Sequence, residues 1–464
     1  MSLGLCLAPA PPSPLHALCL VPFSAPQRFK LFSDPVHGFI SVPKAVLMDL
    51  VQTPEVQRLR RIRQLGVGHL VFPGAEHTRF NHALGAMALM HDALTSLATK
   101  GTPISPEEHT AALAAALLHD VGHGAYSHTL EDRLIRDFHH EAMSRVLISR
   151  INQRLGGVLD RTLAIFDGTY ERPFFHQLVA SQLDMDRLDY LRRDSFYTGV
   201  AEGKVGVQRI IKTLRVHPIA GGPDSELTVE AKGIYAVENF LLARRLMYWQ
   251  VYLHKTVLAG DHLLYAILDR VRLHLQADAP PEDIAACGSP DLRFFLERDI
   301  DATALDTPAV CDRYSRIDDT DVLFSLKQWM HASDPVLADL CRRFVNRDFF
   351  RVVFLEERPN EARMQQWREA VAEWLVNTGR STPSESLADA RAYLATDVSR
   401  HTAYQTNRPR IGILDRDGTV RAFSDMTDTP IAGLTGFVVK PYVCFPKPVA
   451  AALDLPTGAS KEAS

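Results

Sequence analysis

The sequence predicts a mainly α-helical protein: a helical core, a helical C-terminal region and a small β appendage near the end. Three observations carry that expectation. Apolar residues recur at helical spacing over long stretches, as in SPEEHTAALAAALLHD and VENFLLARRLMYWQVYLHKTVLAGDHLLYAILDRV. Helix-start chemistry is complete at Ser105, Pro106 and Glu108: an N-cap, a first-turn proline and the far half of a capping box. Only RIGILDRDGTVRAF shortens the period to that of a strand, with Asp417-Gly418 placed for a hairpin turn.

Taken in order, residues 1–29 are a Pro/Ala-rich extension. It has no Lys or Arg before Arg28, and prolines break each apolar run, so a signal peptide is not expected. Residues 30–275 form the dense core. VPKAVLMDLVQTPEVQRLRRIRQLG is helical text interrupted at Pro54 and closed by Gly66. The helix of HTAALAAALLHD ends at Gly122 and Gly124, and FFHQLVASQLDMDRLDYLRRDSF is helical. QADAPPEDIAACGSP reads as a linker, after which residues 276–404 are helical again through Asn377. Residues 405–447 hold the hairpin, and 448–464 are a tail.

Composition bounds the function. With 46% hydrophobic and 23% charged residues, the 464-residue chain is that of a folded protein larger than one ordinary domain. A net charge of −4 gives no global field for nucleic acid, although a phosphate ligand needs only a local basic patch. No window reaches about 18 consecutive apolar residues, so no membrane span is expected. Six cysteines without a CxxC pair argue against a disulfide framework or thiolate zinc site, and fit a reducing cytoplasm.

Of 19 histidines, twelve fall within the first 150 residues. LLHDVGHGAYSH concentrates His119, Asp120, His123 and His128 behind an apolar helix. A peptidase-like HExxH pair is disfavoured, because Gly122 falls between the histidines and costs a helix roughly 1 kcal/mol. Histidines satisfied in a core remain an alternative, but an adjacent His-Asp at a buried helix end needs something to compensate the carboxylate. A divalent cation does so, with further ligands from elsewhere. Two segments qualify: HTRFNHALG, with His82, and QLDMDRLDYLRRD, where Asp186, Tyr190 and Asp194 share a face at i, i+4, i+8. Taken alone, that second segment reads equally as a solvated face with i,i+4 ion pairs.

DPVHGFI, TPEVQRLRRIRQLG, VFPGAEHTRFNHALG, LLHDVGHGAYSH and DMDRLDYLRRDS occur in this order. Together they resemble the HD superfamily of metal-dependent phosphohydrolases, and within it the deoxynucleoside triphosphate triphosphohydrolases. The resemblance runs from about Lys30 to about Leu275 and implies an HD-domain helical core. It implies that His82, His119, Asp120 and Asp186 bind a divalent metal; this mixed N/O set suits Mn, Fe, Zn, Ni or Co, and Mg fits as well. It implies general acid/base or phosphate roles for His123 and His128. His140-Glu141 match the family's His-Glu pair, Glu141 orienting a catalytic histidine, with Glu131 as a second carboxylate partner. Arg79, Arg187 and Arg244 are the implied phosphate-gripping cations, each of which is otherwise an ordinary salt-bridge arginine. Tyr190 would pack on deoxyribose, Gln64 and Asp194 would bond its 3′-hydroxyl, and Tyr252 would lie near the base.

The implied reaction releases deoxynucleoside and inorganic triphosphate from a dNTP by water attack at the α-phosphorus. The family also implies a homo-oligomer, dimer or tetramer, and a nucleotide activator held at positions such as Lys30, Gln52, Arg60, Lys232 and Lys255. Gln52 stands where vertebrate members carry a guanine-reading aspartate, so GTP activation is not implied with it. Two further readings remain: another HD phosphohydrolase (a nucleotidase or signalling-nucleotide phosphodiesterase), and a nucleotide-sensing regulator. ILDRDGTV imitates the DxDGT signature of haloacid-dehalogenase phosphatases, but only 44 residues follow Val420, so the hairpin reading is preferred.

Overall fold

Two long helices make the floor on which the site is built: α1 (Arg79–Thr99) and α2 (Pro106–Leu118). They belong to a computed structural model that describes residues 28–218, 225–402, 404, 410–425, 436 and 438–455. All but the last two residues of the expected N-terminal extension lie outside the described residues, as does 456–464 of the tail. The described chain is mainly helical, as the sequence predicts.

α1 buries apolar side chains on most of its circumference, among them Phe80, Ala83, Leu84, Met87, Met90 and Leu94, as a central helix must. α2 starts where its capping chemistry places it. Ser105 Oγ accepts from the Glu108 amide at 3.1 Å, and the Glu108 carboxylate accepts from the Ser105 amide at 2.8 Å. The helix stops at Leu118, and the chain turns sharply through Gly122. A Cβ there would stand 2.3 Å from both the His140 carbonyl oxygen and the Ser144 amide nitrogen, so a glycine lets helix α3 (His140–Arg154) close over the turn. Helix α4 (Met185–Thr198) crosses α1 at Gly85, where a Cβ would meet the Asp189 carboxylate at 2.0 Å.

The long helical text from Val237 onward is not one helix. It divides into α5 (Ile234–Met247) and α6 (Lys255–Leu275), joined by a π-helical turn at Tyr248–Tyr252. His254 then restarts the chain as an N-cap, its ring accepting from the Thr256 amide at 3.1 Å. No Pro or Gly marks the break. The π turn, a form concentrated at functional sites, re-aims Tyr248 and Tyr252 inward.

Strands are more widely spread than the single C-terminal hairpin expected. An antiparallel pair, β1 (Phe29–Asp34) and β2 (Gly38–Pro43), opens the described chain. A four-stranded sheet has the order β3-β4-β7-β8, built from β3 (Leu214–Pro218), β4 (Ser225–Glu230), β7 (Gly412–Leu414) and β8 (Val420–Ala422). A three-stranded sheet has the order β5-β9-β6, from β5 (Arg351–Phe354), β6 (Ala395–His401) and β9 (Val438–Phe445). The expected hairpin is present as β7 and β8, with Gly418 at φ +88° in its turn. It is stitched by parallel pairing to β4, with Thr228 opposite Gly412. Strands of three to eight residues, paired with segments far away in sequence, leave too short a period to read locally.

Candidate active site

Four side chains from three helices converge. His82 comes from the first turn of α1, His119 and Asp120 from the end of α2, and Asp186 from the first turn of α4. His82 Nε2 lies 3.3 Å from His119 Nε2, 3.1 Å from Asp186 Oδ1 and 3.5 Å from Asp120 Oδ2. His119 Nε2 lies 3.3 Å from Asp120 Oδ1 and 3.5 Å from Asp186 Oδ1.

His82, His119 and Asp186 each offer a donor atom close enough to the others to hold one divalent cation, with Asp120 beside them. For metal–donor bonds of about 2.1 Å, neighbouring donors stand about 3.0 Å apart in an octahedron and about 3.4 Å apart in a tetrahedron, and the spacings here run from 3.1 to 3.5 Å. The tautomers agree as well. His82 Nδ1 is taken by Asp189 Oδ2 at 2.8 Å, and His119 Nδ1 by the Ala116 carbonyl at 2.8 Å. Each ring therefore turns a lone pair on Nε2 toward carboxylate oxygens, an arrangement of acceptors that a cation resolves. The surrounding carboxylates call for positive charge at this point, whether it comes as a proton or as a cation. Burial opposes charge on His82, yet hydrogen bonds to Asp186 and Asp189 outweigh it and push the ring up to about 10. Burial likewise opposes ionisation of Asp186, but His119 and His82 hold it well below the usual carboxylate range.

Asp189 is the supporting residue that the sequence reading missed. Fully buried, it accepts from His82 and His37 on opposite oxygens and is braced by Arg193, which also reaches Asp34 at 2.7 Å. Its i,i+4 spacing to Arg193 was the available signal.

Beside this cluster, His123, His128 and His140 stand ring to ring. His123 stacks on His140 with centroids 3.7 Å apart and meets His128 edge-on at 4.7 Å. Glu131 holds both outer rings, accepting from His140 Nδ1 at 2.6 Å and from His128 Nδ1 at 2.7 Å. Glu141, expected to be the orienting carboxylate, is exposed and stands 3.6 Å from His140 Nε2. Position i+1 on a helix points away from its neighbour, and Glu131 arrives from the preceding turn instead. Burial works against charge on His140, but Glu131 and Asp120 raise it above the usual histidine value. His123 is the reverse: burial first, then the nearby Arg79 guanidinium, keep it neutral. The Arg58 guanidinium donates to its carbonyl at 3.1 Å, and the Tyr314 hydroxyl donates to the Gly122 carbonyl at 2.9 Å, so the turn is pinned from behind.

A cavity of about 480 Å³ opens from these groups. Gln64, Arg79, Arg187, Tyr190, Asp194 and Tyr252 line it, with Tyr248 added by the π turn. Arg79 is fixed by Asp120 and by Ser127 Oγ at 2.8 Å. Arg187 Nε donates to the Ser181 carbonyl at 2.8 Å. Asp194 accepts from Tyr252 at 2.6 Å and is 2.7 Å from His77 Nε2, a second partner the sequence did not single out. The buried Oε1 of Gln64 has no hydrogen-bond partner among the described residues. Arg244 does not line the cavity; it lies behind, its guanidinium 5.8 Å from the centroid of the Tyr248 ring.

The five residues expected at an activator site, which the resembled family forms between subunits, lie on separate elements of this chain. Arg60 lies over Phe80, whose ring meets Phe32 of β1, and Lys30 shares that strand's alternation with Phe32. Exposed Gln52 caps the short helix Val46–Val51. Lys232 pairs with Glu230 at 2.5 Å, and Lys255 stands 5.7 Å from the centre of the Phe354 ring.

Comparison with known proteins agrees with this geometry. A family model described as "HD domain" matches residues 79–192, the span holding all four converging donors. The chain is 33% identical to the uncharacterized protein YwfO of Bacillus subtilis, over 85% of this chain and 87% of YwfO. A crystal structure of a phosphohydrolase from Bacteroides thetaiotaomicron superposes with a TM-score of 0.82 at 41% identity, covering 90% of this chain and 100% of that one.

The chain belongs to the HD-domain phosphohydrolase family.

A more distant relative is a Dictyostelium discoideum protein named deoxynucleoside triphosphate triphosphohydrolase SAMHD1 homolog, 31% identical over 53% of this chain. The HD chain spans half the length of that relative. HD domains are metal-dependent, and the donors described above are the residues that would hold the ion. No described helix is long and apolar enough to cross a membrane.

Proposed function

We propose that the protein hydrolyses deoxynucleoside triphosphates to deoxynucleoside and inorganic triphosphate. The observation that carries this reading is the continuity of one cavity. Its walls run from the metal-donor cluster, past fixed arginines, to a polar subsite of Gln64, Asp194, Tyr190 and Tyr252. The relative named as a dNTP triphosphohydrolase supports the same reading.

A divalent ion bound at His82, His119, Asp120 and Asp186 would neutralise phosphoryl charge and acidify water. The remaining work belongs to side chains. Arg79, immobilised by Asp120 and Ser127, offers its guanidinium to a phosphate without further ordering cost. Arg187 adds a second cation at the wall. His128 and His140, each donating Nδ1–H to Glu131, keep Nε2 for proton transfer, and one of them supplies the proton that the departing 5′-oxygen needs. The orphan Gln64 Oε1 and the anchored Asp194 suit a sugar 3′-hydroxyl, and the Tyr190 ring closes the wall where a 2′-hydroxyl would project.

The deciding experiment supplies metal and offers all dNTPs and NTPs, singly and in pairs, with product analysis. Inorganic triphosphate from dNTPs supports the reading. Orthophosphate released from nucleoside monophosphates, or cleavage of a signalling nucleotide, sinks it in favour of another HD phosphohydrolase activity. A biological effect that survives intact in Asp120→Ala would instead favour a regulator.

A further inference from the structure

Asp261 has no part in the chemistry above, yet it lines the same cavity. It lies on α6 between Val257 and Tyr265, at i−4 and i+4, so the three face the cavity together. Leu65, Gly66, Gly68 and Thr129 line the same cavity. A carboxyl group in such a wall is costly unless something meets it. Thr129 Oγ1 donates to Asp261 Oδ1 at 2.8 Å and is its only hydrogen-bond partner among the described residues. Oδ2 and the second lone pair of Oδ1 are therefore left for whatever occupies the cavity. The titratable neighbours are Tyr265 on the same face and Tyr442 and Cys444 of β9. His262, next in sequence, is engaged with the Tyr442 hydroxyl at 2.9 Å, and His128 adjoins Thr129. No cation faces the carboxyl among the described residues, and burial, with Thr129 opposing, pushes it up to about 7. Such a group calls for ligand N–H donors.

We propose that Asp261 reads the nucleobase and selects guanine. Guanine presents two adjacent donors, N1–H and the 2-amino group, to a carboxylate. Adenine and cytosine offer one donor beside an acceptor, and thymine one donor between two acceptors, so guanine gains the charge-assisted pair. The inference rests on the deoxynucleotide reading of the cavity.

The test combines kcat/KM for the four dNTPs with titration-calorimetric binding of the four deoxynucleosides, which are not substrates, to the metal-loaded full-length protein. The wild type is expected to favour the guanine member in both. Asp261→Asn keeps the volume but loses the charge and one acceptor, and should erode the dGTP-over-dTTP ratio by roughly 10- to 100-fold. Thr129→Val leaves the carboxyl but unpins it, and should erode the ratio less; it decides the matter if Asp261→Asn misfolds. The wild-type ratio should rise between pH 6 and 8 and be flat in Asp261→Asn. Equal treatment of the four bases by the wild type, or equal losses on all four in both variants, overturns the proposal. If deoxyguanosine is preferred but no dNTP yields triphosphate, the function proposed above falls and the role of Asp261 stands. If triphosphate is released without base preference, Asp261 falls alone.

Discussion

At the scale of single residues, one carboxylate serves two imidazoles: Glu131 accepts from both His128 and His140. Glu131→Gln should lower kcat by about 100-fold, whereas Glu141→Gln, in an exposed position, should stay within about threefold. Steady-state kinetics on the best dNTP checks both. The pH profile carries a sign. His140 titrates above the usual histidine value, so its imidazolium is present at low pH and is lost as pH rises through that raised value. A rate that needs this proton falls on the alkaline side, and Glu131→Gln should move that limb to lower pH. Asp189→Asn removes the carboxylate behind His82 and should weaken metal affinity about 10- to 100-fold, read by metal titration. Asp261 gives a stability test. Its folded value of about 7 exceeds the unfolded value of 3.8, so its contribution is full below pH 4 and lost as pH rises to 7. Asp261→Asn should therefore match the wild type in unfolding free energy at pH 4 and exceed it at pH 8 by about 1–3 kcal/mol, read by denaturant titration.

At the scale of elements, the helix ends that carry the candidate donors were legible from sharp sequence marks, whereas the choice of the four donors came from the family resemblance. The Ser105-Pro106-Glu108 start and the glycines after His119 bound α2, and His82 opens a helix beside Arg79. Of the supporting residues Glu131 was named only as a second partner and Asp189 was missed, because packing chooses their partners: Glu131 meets His140 nine residues further on, and Asp189 reaches His82 across 107. The π turn was hidden for another reason. Its residues, Tyr248–Tyr252, include no helix breaker that would mark the extra residue per turn. The turn after α2 also tolerates little. Gly122→Ala would drive a Cβ into the His140 carbonyl and the Ser144 amide, displacing both stacked histidines. That variant should lose most of its activity while keeping its circular-dichroism helix signal.

At the scale of the whole molecule, the C-terminal residues are structural parts of earlier ones. β9 is the middle strand between β5 and β6, with Val443, Cys444 and Phe445 fully buried, and its Tyr442 hydrogen-bonds His262 on α6 beside Asp261. The sequence shows the alternation around Asp417-Gly418 but cannot show that β7 lies parallel to β4, nearly the whole chain-length of a domain away. A chain ending at residue 437 should therefore unfold at clearly lower temperature in differential scanning fluorimetry and dock α6 loosely.

The placement of β9 has a consequence in time. A ribosome adds about 5–20 residues each second, so β5 emerges roughly 5–20 s before the strand that must lie beside it. During that interval β5 has an open edge, and β6, made next, cannot close it because both wait for the same partner. The growing chain therefore carries β5 unpaired for about 80 residues of synthesis, and β6 with it for about the last 40 of those. Slowing translation over that span should lower the soluble yield, and co-expressing a chaperone that shields strand edges should restore it.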